Sequence, residues 1–362
     1  MTVALADPLH TASPAIEIDG MSYPLVAANL ELMRMTEGLG GLSSLEVALT
    51  DETTLADGSA SHAAGAGSPL RLGAGIRVFA GPAEVHAFEI FDGQITAVES
   101  EIREGGAPLF TVLAEDRLFA ARRIRRTRLF EKKSAKDLVE QIAADHKLKP
   151  EVREGVDTEA ADWMQTDETD LAFLRRVLGR SDSDVQIVGD KLQAGRIGMN
   201  QRALVQLAAG NTLRRARITA DIAEQVNEIR LASFDPATGE KVDSKATAGG
   251  FGPGKGKTGA DMLKDKYSEV KMHLGRFGPM TEAAAGKLAQ YECDRRARGF
   301  VTVTGTAQGN PQLRVGTWVE LSGVNPQFAN QYAVTRAVHR WDRREGYMTD
   351  FDAQSAYLGE PA

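Results

Sequence analysis

One short pattern occurs twice in this chain. Leu70-Arg71-Leu72-Gly73-Ala74-Gly75-Ile76-Arg77-Val78 and Leu313-Arg314-Val315-Gly316-Thr317-Trp318-Val319-Glu320-Leu321 share Leu, Arg and Gly in register, and three further positions exchange one aliphatic residue for another. Each is followed by a second alternating segment, Ile95-Thr96-Ala97-Val98 in one case and Val334-Thr335-Arg336-Ala337-Val338 in the other. Alternation places successive side chains on opposite faces of a strand, so both copies read as a turn feeding a half-buried hairpin. Short period-2 strands also resemble one another by chance, but an internal repeat of this kind predicts one β unit used twice.

A chain of 362 residues is long enough for two or three cores. Hydrophobic residues at 42% and charged residues at 26% are ordinary for a globular protein. Thirty-six glycines, about 10% of the chain, imply many tight turns and a β-rich fold. No apolar run is long enough to span a bilayer, and Met1-Thr2-Val3-Ala4-Leu5-Ala6-Asp7 lacks the basic start and apolar block of a signal peptide, so synthesis and assembly are expected in the cytoplasm without membrane insertion. The single cysteine, Cys293, excludes an intrachain disulfide. A net charge of −7 argues against a dedicated nucleic-acid binder.

Strand patterns run from residue 15 to 50 and resume from Leu72 to Leu113, with turns expected at Asp92-Gly93 and Glu104 to Pro108. Residues 58–68, small and polar, read as a surface loop. Ser134 starts a helix as an N-cap with Asp137 three positions on, and Thr169 caps a second whose stripe is Leu171, Leu174, Val177 and Leu178. Strands return at Ala203-Leu207, Leu213-Ile218 and Gln225-Leu231, pattern is lost over 245–280, and a helix is expected over 281–298 before the final strands. The predicted architecture is mainly β: a first tube-like barrel over 1–130, a small α/β connecting unit over 131–200, and a second barrel over 201–362 with a loop and helix insertion at about 245–299.

Candidate chemistry is sparse. Gly256-Lys257-Thr258 imitates the end of a P-loop, but the position five before Gly256 is Phe251 and the preceding segment is polar, so nucleotide binding is not expected and a flexible loop is. The histidines at 10, 62, 86, 146, 273 and 339 show no ligand spacing, and no Gly-x-Ser-x-Gly elbow occurs. Asp167-Glu168-Thr169-Asp170 could supply a pair of catalytic carboxylates, yet acids at a helix start are explained by the macrodipole. No catalytic residue, cofactor or metal is expected. The sharpest charge feature is Arg122, Arg123, Arg125, Arg126 and Arg128, interrupted by Ile124, which is expected to face inward from a strand. Arginine pairs bidentately with carboxylates across subunit boundaries, and the run is read as an inter-subunit or partner-facing surface.

Three stretches together resemble the tail hub proteins of contractile injection machines, the late-control gene D family and the hub portion of VgrG. They are Phe91-Asp92-Gly93-Gln94-Ile95 through Asp116-Arg117-Leu118 and Arg128-Leu129-Phe130 to Ser134-Ala135-Lys136-Asp137; Gln165 to Arg176; and Leu313-Arg314-Val315-Gly316 followed by Tyr332 to His339 and Gly346 to Phe351. The resemblance implies two antiparallel barrels similar to tail-tube subunits and a homotrimer in which three chains imitate six tube units. It implies a non-enzymatic hub that joins a separate spike protein to the tail tube protein, beside other baseplate components, in a phage tail, tailocin or extracellular injection particle. A cell-wall-degrading enzyme and a single-barrel tube or adaptor protein are the competing readings. The chain ends soon after the second barrel, where VgrG chains continue into a spike.

Overall fold

The computed structural model describes residues 13–54, 60–62, 68–80, 88–275 and 277–359. The first β unit is built from β1 (Ala15–Ile18), β2 (Leu30–Gly38), β3 (Ser44–Thr50), β4 (Gly75–Ala80), β5 (Phe88–Glu101) and β6 (Leu109–Asp116), paired in the order β2-β3-β6-β5-β4-β1. Alternation buries one face: Met33 and Met35 of β2, Leu45 and Val47 of β3, and Ile76 and Val78 of β4 join a single core.

The connecting unit comprises β7 (Arg125–Lys133), α1 (Ala135–Asp145), β8 (Ala161–Thr169), α2 (Asp170–Gly179), β9 (Ser183–Val188) and β10 (Lys191–Arg196). Both helices start where the sequence places them. Ser134 and Asp137 form a reciprocal capping box, and the Thr169 hydroxyl accepts from the Ala172 amide at 3.2 Å. The apolar stripes of α1 and α2 meet over Leu138, Ile142, Leu171 and Leu174 in a second core, which also takes in Leu118, Ala121 and Phe130. Leu118 and Ala121, which precede β7, thus pack in this core and not in the first.

The second β unit contains β11 (Leu204–Ala208) and β12 (Leu213–Ala220). After them comes an inserted layer of β13 (Glu228–Phe234), β14 (Lys241–Thr247), α3 (Gly259–Lys266), β15 (Lys271–Leu274) and α4 (Glu282–Arg298). The unit is completed by β16 (Val301–Gln308), β17 (Trp318–Ser322), β18 (Gln331–Asp342) and β19 (Gly346–Ser355). Its order, β12-β16-β19-β18-β17-β11, repeats that of the first unit strand for strand. The outermost strands differ, since β1 runs antiparallel to β4 while β11 runs parallel to β17.

The repeated motif proves structurally equivalent. Gly73 and Gly316 sit at φ +82° and +80°. The Ala74 amide donates to Arg71 O and the Thr317 amide to Arg314 O, closing four-residue turns whose third residue needs positive φ. Beyond the turns, the register of β5 on β6 shifts between Ile95 and Ala97, and that of β18 on β19 shifts between Val334 and Arg336. The residues skipped are Thr96 and Thr335, whose hydroxyls donate to Leu113 O and Asp352 O, each at 3.3 Å. A second bulge is also duplicated, between Leu30 and Leu32 on β2 and between Leu213 and Arg215 on β12. Bulges are local devices that a chance pair of strands would not share at two matched places beside the same glycine turn.

The two units do not hang apart. β18 pairs antiparallel with β2 from Arg336 opposite Gly38 to Asp342 opposite Leu32, fusing both units into one 13-stranded sheet. Trp341 and Tyr347 of the second unit complete the first core.

Several expectations change. Asp92-Gly93 lies inside β5 rather than in a turn, because Gly93 lets the strands close: a Cβ there would sit 2.2 Å from Glu115 O. Of the loop read over 58–68, residues 58, 59 and 63–67 lie outside the described residues, while Ala60–His62 pairs with Glu52–Thr54. The start at Met1 to Asp7 is also outside them. Gln225-Leu231 does not join the second unit's sheet; β13 pairs with β14 and β15 over α4, around a core of Ile229, Leu231, Val242, Ala289 and Cys293. The segment 245–280 is not patternless, since Thr258 and Asp261 form a capping box for α3.

Candidate assembly surface

The arginine run divides by what each guanidinium touches. Arg122 ends a 3-10 turn and holds Glu115 through its Nε at 2.7 Å, and the guanidiniums of Arg122 and Arg123 lie over the Phe119 ring. Ile124 is 61% exposed, so the inward orientation expected of it is wrong: it precedes β7 and packs on neither core. Arg125 bonds the exposed Asp167 at 3.1 Å. Arg126 and Arg128 instead turn to Asp170 at the start of α2, which is buried. Arg128 donates to Asp170 Oδ1 at 2.6 Å and to Asp145 at 2.8 Å, Arg126 approaches Asp170 Oδ2 at 3.6 Å, and His146 Nε2 lies 2.9 Å from the same oxygen. These two arginines tie β7 to both helices inside the chain. Arg122, Arg123 and Arg125 remain at the surface.

Asp170 is therefore structurally committed, and Glu168 is bonded by Arg176, so the acidic strip does not present two free carboxylates. The P-loop imitation is also engaged structurally. Thr258 caps α3, Lys257 Nζ reaches Asp265 at 2.7 Å, and Asn330 binds the Lys255 amide and carbonyl. The loop read as flexible is thus pinned to β18's start. Among the described residues no cluster of three His, Cys, Asp or Glu could hold a metal ion, and no helix is long and apolar enough to cross a membrane.

The seam between the units holds a charge cluster that sequence reading missed. Glu37 on β2 is buried and accepts from Arg314 Nη2 at 2.6 Å and from the Val315 amide at 2.5 Å. Burial would raise its carboxyl, yet the Arg314 guanidinium, with Arg202 behind it, holds it down at about 2. Nearby His339 is fully buried, with Nδ1 2.8 Å from the Tyr347 hydroxyl, and burial beside Arg314 pushes it down to about 3. A cleft of about 260 Å³ opens beside this cluster, lined by Asp116, Arg202 and Arg314. Asp116 accepts from the Ser43 and Leu118 amides at 2.7 and 2.9 Å, so the charges there are occupied in joining chain segments. The repeated arginine has two fates: Arg314 is buried on Glu37, whereas Arg71 pairs with Asp19 at 2.8 Å in the open.

A family model described as the Alg8 N-terminal domain matches residues 46–342. The chain belongs to this family. No curated protein matches it by sequence. Solved structures share its fold across nearly the whole chain. The 43 kDa tail protein of prophage MuSo2 from Shewanella oneidensis is 12% identical, covering 94% of this chain and 97% of that one at a TM-score of 0.69. A tail protein from Neisseria meningitidis MC58 is 11% identical, with 95% and 99% covered at 0.66. An Escherichia coli component of the type VI secretion system, described as structurally similar to bacteriophage T4 tail proteins, is 13% identical, with 96% and 79% covered at 0.56. The matched Alg8 N-terminal region, 46–342, includes both copies of the repeated turn and the seam strand β18. The fold is that of phage tail proteins.

Proposed function

We propose that this chain is a structural baseplate hub of a contractile injection machine, in which three copies form a ring of six β units that seats a spike on one side and starts the tail tube on the other. The observation that carries this reading is the duplication: two six-stranded units with the same order, the same glycine turn and two matched bulges, fused through β2 and β18. A duplicated unit lets a threefold assembly offer sixfold-like contacts. The tail-protein fold supports the same reading. We take the first unit to end near residue 116, the connecting unit to follow, and the second to carry the inserted layer as an outward appendage. Arg122, Arg123 and Arg125 are assigned to contacts with neighbouring baseplate components, while Arg126 and Arg128 hold the connecting unit together. Assembly would take place in the cytoplasm, and the finished particle would carry the hub outside the cell after release. Mass photometry of the purified chain, followed by negative-stain averaging, tests this: a ring of three is expected, and a stable monomer or a ring of six chains would overturn it.

A further inference from the structure

The outer edge of β18 is covered by two strands in succession, and its twin β5 has only the first of them. β17 pairs with β18 as far as Trp318 opposite Ala333, after which β2 takes over from Gly38 opposite Arg336. In the first unit β4 covers β5 as far as Gly75 opposite Gln94, with Gly73 and Ala74 bonded to Ile95. From Ala97 onward no strand follows on that edge among the described residues. The twin of β2 is β12, which pairs with β16, and among the described residues no strand lies along its other edge. One chain therefore carries the two halves of a second seam, unpartnered and at opposite ends of its sheet.

We propose that residues 97–103 of one copy pair antiparallel with β12 of the next copy, in the register that β18 and β2 keep inside the chain. This rests on the ring reading above and specifies its contact. The duplicated bulges fix the register: Arg336 corresponds to Ala97, and Gly38 to Asp221. Transferring the internal pairs places Val98 opposite Ala220, Glu99 opposite Thr219, Ser100 opposite Ile218, Glu101 opposite Arg217 and Ile102 opposite Ala216.

The apolar and charged positions match, save Arg103 opposite Arg215 at the end of the segment. Ala216, Ile218 and Ala220 pack against the second core, and they would receive Val98 and Ile102, which are 38% and 89% exposed in the single chain. On the other face Glu101 meets Arg217, while Arg214 and Arg215 follow on a strand whose partner segment carries Glu99 and Glu104. Glu101 is held meanwhile by Arg103 in a solvent-exposed pair, which a neighbour can replace at little cost. Charge on an edge strand ordinarily guards against pairing. Here the two edges carry opposite signs, so β12 against β12 would repel, and only the head-to-tail pairing is favoured. A head-to-tail contact closes into a ring when its rotation permits.

The test uses the full chain with paired cysteines, Ser100→Cys with Ile218→Cys and, separately, Glu101→Cys with Arg217→Cys. Adjacent pairs alternate in hydrogen-bonding type, so one of the two suits a disulfide. Ser100→Cys with Ala220→Cys is the out-of-register control. Expected on oxidation is a reducible ladder ending at three chains for an in-register pair and absent from the control. As a second variant set, Glu101→Arg or Arg217→Glu alone should lower the trimer fraction several-fold, and the two together should restore it. A chain that is trimeric in solution but links in neither in-register pair overturns this seam and leaves the ring reading standing. A chain that stays monomeric overturns both.

Discussion

Replacing Glu37 with glutamine isolates the seam cluster. The substitution keeps the shape and an acceptor for the Val315 amide but removes the charge that faces Arg314, whose side chain is 14% exposed, and Arg202. Breaking one partner of a buried pair leaves the other charge uncompensated and costs about 3–5 kcal/mol. Spread over a cooperative chain of 362 residues, with roughly 2.1 cal/mol/K of unfolding entropy per residue, that loss lowers the melting temperature on the order of 4–7 °C. Differential scanning calorimetry reads it directly. The structure supplies an internal control in Asp19→Asn at the equivalent Arg71, which lies in solvent and should leave the melt unchanged. Replacing both Glu37 and Arg314 with leucine should recover stability relative to Glu37→Gln, since the orphaned charge is gone. A Glu37→Gln protein melting within about 1 °C of the parent, too little for a kilocalorie at this size, would refute the reasoning.

Other outcomes follow from the same geometry. Gly73→Ala and Gly316→Ala each place a side chain at positive φ with no contact below 3.5 Å, so both should lose a similar amount, about 1–2 kcal/mol, in denaturant titrations. Gly93→Ala pushes a Cβ into Glu115 O and should cost about 1–3 kcal/mol, or prevent β5 from pairing, which amide exchange across β5 and β6 would show. His339 and Glu37 are depressed to about 3 and about 2 in the fold, so each adds stability that is complete above its unfolded value of 6.5 or 4.5 and is lost as pH falls towards the folded value. Asp116, Asp182 and Asp184 are raised to about 6 by burial and act in the opposite sense, favouring the fold as pH falls from 6 towards 3.8. The His339 contribution is therefore read as a difference: the stability gap between parent and His339→Gln should move against the parent as pH drops from 6.5 to 3, and a constant gap would remove the assignment. Charge reversal at Arg122, Arg123 and Arg125 should impair particle assembly without lowering the melt of the isolated chain, whereas Arg128→Glu should destabilise the connecting unit itself.

Signals carried by neighbouring residues were legible without the fold. The Leu-Arg-x-Gly turn was visible because a positive-φ glycine and an i to i+3 bond are local requirements, and both caps of the connecting helices were visible for the same reason. The capping box of α3, Thr258 with Asp261, had the same signal and was obscured by the glycine-rich run before it. The Asp92-Gly93 pair misled because a glycine that admits a close strand crossing looks, in sequence, like one that makes a turn.

By itself the sequence determined the mainly β character, the duplication and the places where helices begin, since these rest on periodicity and on contacts within a few residues. Only the tertiary structure decided which strands pair: that β13 leaves the second unit for its own layer, that β2 and β18 fuse the units, and that Arg314 is buried on Glu37 while its twin Arg71 lies in solvent. Pairing joins residues hundreds of positions apart, and an open backbone edge offers the same hydrogen-bonding groups to any partner. The choice is made by which apolar faces and charges meet in three dimensions, and that information is written jointly across distant strands rather than within any one of them.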